Sequence, residues 1–299
     1  MKQNLKLIIL AFTFISVFSL VHASENTNKI FITQKMEIYG IAGSPWEEST
    51  SYEEERSRAY LDALNHAYEA IIHLPLMDGK DIKDIMLGNR AFKERIFKLL
   101  FNSPKEFYQT DSSGINRCKI AISLTGGNSL RTAFYLAAMR PQPMQPTSLL
   151  ASWTAGIAVD EKAEPSKYKR IVIDARKNYF EPSLFPRFFD KNGMLIFQES
   201  MIPEAERFSR PAIRFVTTIE EARKDLTSKE VFTASSLIDG LHPRDVIIMP
   251  NDVNDFAVFC RDIIKTPAKQ REIVIVFDPE NKVKYGNLEK SEKEEKDKK

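Results

Sequence analysis

His66 and His73 stand seven residues apart in a stretch with helical periodicity, and His242 lies far from both. Two imidazoles on one helix share a metal ion when they are four residues apart. A step of seven puts them on one side of the helix but too far apart to do so. His73 falls where that helix should end, a position that favours a cation. No Cys-x-x-Cys accompanies them, so surface or capping histidines are expected, with no metal site and no cofactor. Cys118 alternates with Ile120, Ile122 and Leu124, and Cys260 shares a helical face with Val253, Phe256, Ala257, Ile263 and Ile264. Both are expected to be free thiols packed as small hydrophobes, with no disulfide.

No Gly-x-Ser-x-Gly elbow, phosphate-binding loop or dinucleotide fingerprint occurs in the chain. Gly126-Gly127 reads as a turn. The polar groups best placed for recognition are Asp174 and Arg176, at the end of the apolar run Ile171-Val172-Ile173. Two apart on an extended chain, they share a face. They can form a recognition site or an ion pair that fixes the following loop. That loop, Phe180 to Arg187, crowds Pro182 and Pro186 with Phe180, Leu184 and Phe185. It could present Phe185 and Arg187 to a partner, or plug the end of the sheet, which is the preferred reading. Zinc-dependent cell-wall amidases open with a similar strand ending in Asp-Ala, but there a Gly-His-Gly follows. Here Arg176-Lys177-Asn178 follows Ala175, so the metal ligand is missing.

The elements that must hold these groups are legible in the periodicity. Ile30 to Gly43 reads as a strand. A helix starts near Thr50 and Ser51, where Glu53 and Glu54 complete capping-box spacings. It carries Ala59, Ala63, Ala67 and Ala70 on one face, which lets it sit close against a sheet, and it stops before Pro75. One helix is expected over Asp81 to Phe101, then a hairpin of Phe107 to Thr110 and Ile115 to Leu124 about a Ser112-Ser113-Gly114 turn. Arg140 to Pro146, with three prolines, reads as a stiff linker. Residues 149–159 have no clear assignment.

Strands follow at Lys169 to Ala175, Met194 to Gln198 after an Asn192-Gly193 turn, Ala212 to Val216, Asp245 to Met249 and Glu272 to Phe277. Short helices are expected from Thr218 and over Asp252 to Ile264. The fold class is α+β. A first domain at 24–139 runs strand, two helices, two strands. A linker spans 140–167, and a second domain at 168–280 has a mixed sheet with short helices. A charged tail, 281–299, has five acidic and five basic residues after Asn287 and nothing apolar past Leu288, so it is expected to stay solvated.

The N-terminus has the pattern of a cleavable signal peptide: basic Lys2 and Lys6, an uncharged apolar run from Leu7 to Val21, then Val21-His22-Ala23. Cleavage is expected between Ala23 and Ser24. No cysteine follows to accept a lipid, and no membrane span is expected in the mature form. The chain has 43 basic and 41 acidic side chains; removing Lys2 and Lys6 leaves 41 of each. A near-neutral chain excludes the basic footprint of a nucleic-acid binder.

Val172-Ile173-Asp174-Ala175-Arg176, Pro182-Ser183-Leu184-Phe185-Pro186-Arg187 and Phe189-Asp190-Lys191-Asn192-Gly193 together resemble a recurring module of exported bacterial proteins. Those proteins usually carry Gly where this chain has Lys177, and Tyr-Gly where it has Phe197-Gln198. The first domain, with its alanine-rich helix over Glu55 to Ala70, is similar to the small twenty-kilodalton bacterial lipoprotein family. It is similar also to the N-terminal domain of the flagellar assembly protein T family. These resemblances imply no catalytic residues. The expectation is a non-catalytic periplasmic protein, with secretion as second choice, serving as a structural or interaction module with envelope or flagellar-base partners. The alternative is a small-ligand binder or enzyme built around Asp174 and Arg176.

Overall fold

A computed structural model of the chain describes residues 27–42, 51–77, 79–109, 116–138, 163–203, 207, 211–239, 242–266 and 271–281. The expected signal peptide and its expected Ala23–Ser24 cleavage site, the expected 112–114 turn, the prolines of 140–146, residues 149–159 and the charged tail beyond 281 lie outside them. The fold is α+β.

The first unit opens with a short helix, α1, at residues 27–33. The strand expected from Ile30 therefore begins later, as β1 at Lys35–Ile41. The reason is local. Ile30 and Phe31 are both buried although adjacent, a helical pattern rather than an alternating one. Gln34, at φ 56°, then turns the chain out of the helix. From β1 onward burial alternates strictly. Helix α2, Tyr52–Ile72, starts at Ser51, whose Oγ accepts from the Glu54 N–H at 3.3 Å.

Next come the small strands β2 (Pro75–Met77) and β3 (Lys80–Asp81). The single helix expected over 81–101 is two, α3 (Ile82–Met86) and α4 (Arg90–Asn102). They part at Gly88-Asn89 because the Asn89 side chain caps the Phe92 N–H at 2.9 Å and starts a new helix. Strands β4 (Lys105–Gln109) and β5 (Asn116–Ser123) form the hairpin, and the sheet order is β1-β5-β4, antiparallel. A further helix that periodicity did not announce, α5 at Leu130–Ala138, closes the unit.

Helix α2 lies on the sheet through Ala59, Ala63 and Ala67, none of them exposed. Gly40 makes this approach possible, since a Cβ there would stand 2.2 Å from the Ala63 nitrogen and 2.4 Å from the Ala59 oxygen. The same helix covers the open edge of β1. Asp62 accepts the Ile41 N–H at 2.9 Å, and His66 Nδ1 donates to the Tyr39 carbonyl at 3.0 Å. An uncovered edge would present these groups to another strand.

The second unit holds strands β6 (Arg170–Asp174), β7 (Arg187–Asp190), β8 (Leu195–Phe197) and β9 (Ile213–Val216). Helix α6 (Ile219–Arg223) and strands β10 (Val231–Ala234), β11 (Ser236–Asp239) and β12 (His242–Ile248) follow. Helix α7 (Val253–Lys265) and strand β13 (Glu272–Val276) complete it. They resolve into two four-stranded sheets. One, β10-β6-β13-β9, is parallel throughout. The other, β11-β12-β7-β8, pairs β12 with β7 in parallel and its edge strands antiparallel. Only Ser235 separates β10 from β11, so the chain passes from one sheet to the other there. Phe188, Phe197 and Phe256 fill the space between the mixed sheet and α7.

Cys118 and Cys260 are both buried and free. Burial raises both thiols, Cys260 well above the ordinary range. Among the described residues no helix is long and apolar enough to cross a membrane. Replacing Gly40 by Ala is expected to cost about 3 kcal/mol or more, as overpacking against a helix backbone that must shift. Equilibrium urea unfolding of the variant beside the parent measures it.

Candidate functional site

Strand β6 ends at Asp174 among the carboxyl ends of the parallel sheet, where α/β proteins commonly hold ligands. Arg176 meets Asp174 in a bidentate pair, Nε to Oδ1 at 2.8 Å and Nη2 to Oδ2 at 2.7 Å. The Arg176 N–H also reaches Oδ1. Behind the pair, Asn281 Nδ2 donates to the carbonyls of Arg176 and Asn178. The pair and Asn281 thus fix the turn after β6 from two sides. Hydrogen bonding to Arg176 holds the Asp174 carboxyl below its usual value and raises the guanidinium in return. Both side chains are partly solvated, at 42% exposure for Arg176 and 32% for Asp174.

Phe185 does not sit near them. The Pro-flanked loop, buried from Pro182 to Pro186, reaches across to the first unit. Its Leu184 and Phe185 N–H groups donate to the carbonyls of Pro75 and Leu76, both at 2.9 Å, so the loop is hydrogen-bonded to strand β2. The Phe185 ring enters between Phe134 and Tyr135 of α5, with ring centroids 4.9 Å from each. Phe180 stays behind and packs on Phe215 and Phe277 at the parallel sheet. Phe180 thus lies at the sheet end, while Phe185, only 4% exposed, is buried against the chain's own first unit rather than offered to a partner. Arg244 adds a polar clamp to the same junction, binding Asp81, Glu181 and the carbonyls of Met77 and Lys80.

Arg187 lies elsewhere again, on the mixed sheet. Its guanidinium is bidentate to Asp245 of the neighbouring strand, at 3.0 and 2.5 Å, and 5.2 Å from the centroid of the Phe189 ring. A cleft of about 380 Å³ opens here, lined by Arg187, Phe189, Asp190, Lys191, Gly193, His242, Asp245 and Ile247. Of the four residues singled out in the sequence, Arg187 alone lines it. His66 guards the β1 edge, and His73 caps α2 with Glu69 3.9 Å away. Among the described residues no three His, Cys, Asp or Glu side chains gather as metal ligands.

The most deeply buried charges were not legible as a site. Arg131 of α5 donates from Nη1 to both oxygens of Glu199, at 2.9 and 2.7 Å, with the side chains only 6% and 3% exposed. Glu199 Oε1 accepts two further bonds, from the N–H groups of Ala212 and Ile213. Beside this pair, Arg207 stacks 4.3 Å from the centroid of the Tyr135 ring. Burial pushes the Tyr135 hydroxyl well up. One local signal was available: Ser129 and Thr132 mark a helix start, and their hydroxyls bond each other and Gly126. No spacing rule joins Arg131 to a carboxylate 68 residues away.

Glu199→Gln is expected to cost about 3–5 kcal/mol, because Arg131 is left as an uncompensated buried cation. The double change Arg131→Met with Glu199→Gln is expected to recover much of that, because it removes the buried cation while the amide oxygen can still accept the Ala212 and Ile213 N–H groups, as urea unfolding of the parent and the two variants can show. Asp174 sets a second test. Its folded pKa is depressed, so the pair's contribution, under ~1 kcal/mol at this exposure, is complete above the unfolded value of about 3.9. It is lost as pH falls through the folded value. The stability gap between the parent and Asp174→Asn should therefore be steady at neutral pH and close in acid.

Residues 170–279 match the family model described as the second domain of Treponema pallidum Tp0624, which covers a little over a third of the chain. No curated protein matches the chain. The match begins with β6, ends just past β13, and includes the Asp174–Arg176 pair, the docking loop and every residue lining the cleft. The second unit of this α+β chain is therefore similar to a bacterial domain of that kind.

Proposed function

We propose that this is an exported, non-catalytic protein of the bacterial envelope that acts as a structural or interaction module. Export rests on the N-terminal pattern ending at Ala23, and the compartment it implies is the periplasm, with secretion as second choice. One observation carries the non-catalytic reading: the charged groups at strand and helix ends are engaged with one another. Asp174 is held by Arg176, Asp245 by Arg187, and Glu199 by Arg131 and two backbone amides. A general acid or base must instead offer its proton to a substrate. The second unit's likeness to a Treponema pallidum domain supports a bacterial setting, the envelope rests on the export pattern alone, and the first domain's resemblance to flagellar assembly protein T suggests partners at the flagellar base.

In-cell crosslinking followed by mass spectrometry tests location and partners together. The expected result is a mature chain beginning at Ser24, crosslinked to envelope or flagellar-base components. A cytoplasmic chain with its leader intact, or an exported monomer with no crosslinked partner, would overturn the proposal.

A further inference from the structure

Helix α4 turns Phe92, Ile96, Leu99 and Leu100 into the core, but its outer side also carries large apolar rings. Phe97 is 37% exposed and Phe101 57%. Four residues apart, they share a face with Lys93. The neighbouring α2 adds Leu61, 59% exposed, and half-buried Tyr68, seven residues on and so on the same side. The two sets touch: the Tyr68 and Phe97 rings stack with centroids 5.5 Å apart. Lys105, just past the end of α4, has its Nζ 4.2 Å from the centroid of the Tyr60 ring. The helices thus run antiparallel, and Phe101 falls between those contacts, towards Leu61 and buried Leu64. Single exposed apolar side chains are ordinary, but a contiguous patch marks a surface that meets something other than water.

Cations rim this patch without counter-charges. Lys93 Nζ lies 5.9 Å from the Phe97 centroid, Lys98 is three residues from Phe101 on the same helix, and Lys105 borders Tyr60. All three are exposed, and none makes an ion pair among the described residues. Nearby acidic groups are taken up: Glu94 by Arg90 at 2.8 Å, Glu69 by His73 at 3.9 Å, Glu106 by Lys119 at 3.6 Å, and Asp62 by the Ile41 N–H. A second copy of the same face would set lysine against lysine, which disfavours self-association. An anionic surface with an apolar interior matches both halves of the pattern. Rings can enter the acyl boundary while lysine stems lie along it and hold their ammonium groups among the headgroups.

We propose that this face docks on a lipid bilayer carrying anionic phospholipid headgroups, with Leu61, Phe97 and Phe101 inserted and Lys93, Lys98 and Lys105 on the headgroups. Docking of this kind is peripheral and reversible, and no helix has to cross the membrane. It goes beyond the interaction role proposed above and does not depend on it, since a protein partner elsewhere on the chain neither requires nor forbids it.

Cosedimentation of the protein, as the producing cell processes it, with two kinds of vesicle tests this: phosphatidylcholine with phosphatidylglycerol, and phosphatidylcholine alone. Binding to the phosphatidylglycerol vesicles should be tighter by about tenfold or more, and salt should weaken it. Leu61→Ser with Phe101→Ser, both at exposed positions, should weaken it about tenfold, and so should Lys93→Glu with Lys98→Glu. Two controls should bind like the parent. One is Ile41→Ser, an exposed apolar position on the face of the sheet turned away from α2. The other is Lys177→Glu with Lys229→Glu, the same change of charge in the second unit. The lysine variant decides alone should the apolar one lose the parent's circular dichroism spectrum. The proposal is overturned if phosphatidylglycerol vesicles do not carry the protein down, if phosphatidylcholine alone binds as well, or if the controls weaken binding as much as the patch variants. It is overturned also if the protein without lipid is a dimer that the Leu61 and Phe101 changes separate, because a second copy then covers the face.

Discussion

A buried ion pair governs how this chain closes on itself. Arg131 and Glu199 sit in different units and have almost no contact with water. Removing two charges from solvent costs several kcal/mol each, and their attraction repays it only with good geometry and further hydrogen bonds. Glu199 meets that condition through the Ala212 and Ile213 amides at the entry to β9. The pair therefore sets the position of α5 and the start of a parallel strand at once. An arrangement that left either charge unmatched in the interior would be penalised, so the pair selects one docking of the two units. The surrounding contacts are apolar and less particular: Phe185 against Phe134 and Tyr135, and Phe31 against Phe215. They supply attraction, and the charges supply register.

Within the first unit the corresponding constraint is steric. Gly40 allows α2 to lie on β1 through alanines, and that closeness brings Asp62 and His66 within reach of the β1 edge. One missing side chain thus serves both packing and the protection of an open strand. The second unit blunts its charges differently, tying Asp174 at the end of β6 to Arg176 in the following turn and Asp245 within β12 to Arg187 of the neighbouring strand.

Much of this was readable before any coordinates. Strict alternation in β5 and the buried run of β6 announced strands, and Ser51 with Glu54 announced α2, because those signals are local and physical. The fold class followed. What failed to show was also local in origin. Gly88-Asn89 interrupts a pattern whose apolar spacing continues through it, so one helix was expected where two exist. Ile30 and Ile32 imitate alternation across a helical turn. Strands β7, β10 and β11 are four residues each, too short for periodicity to declare. For the candidate sites the limit was one of range. Asp174 and Arg176 are neighbours in sequence, and their pairing was anticipated. Arg131 with Glu199 exists only once α5 meets the second unit, and Arg187 with Asp245 only once β7 and β12 are in register.

The loop from Pro182 to Pro186 has a consequence for how such a domain can travel between genes. Its Leu184 and Phe185 amides bond two carbonyls of β2 in the preceding unit, and its aromatic ring is housed there. Recombination that moved residues 170–279 behind an unrelated partner would carry along two unsatisfied amides and a bare phenyl group. Portability of the domain is then limited by its neighbour. A host must bring a short strand edge and an aromatic cradle of matching shape, or the loop itself must be rewritten.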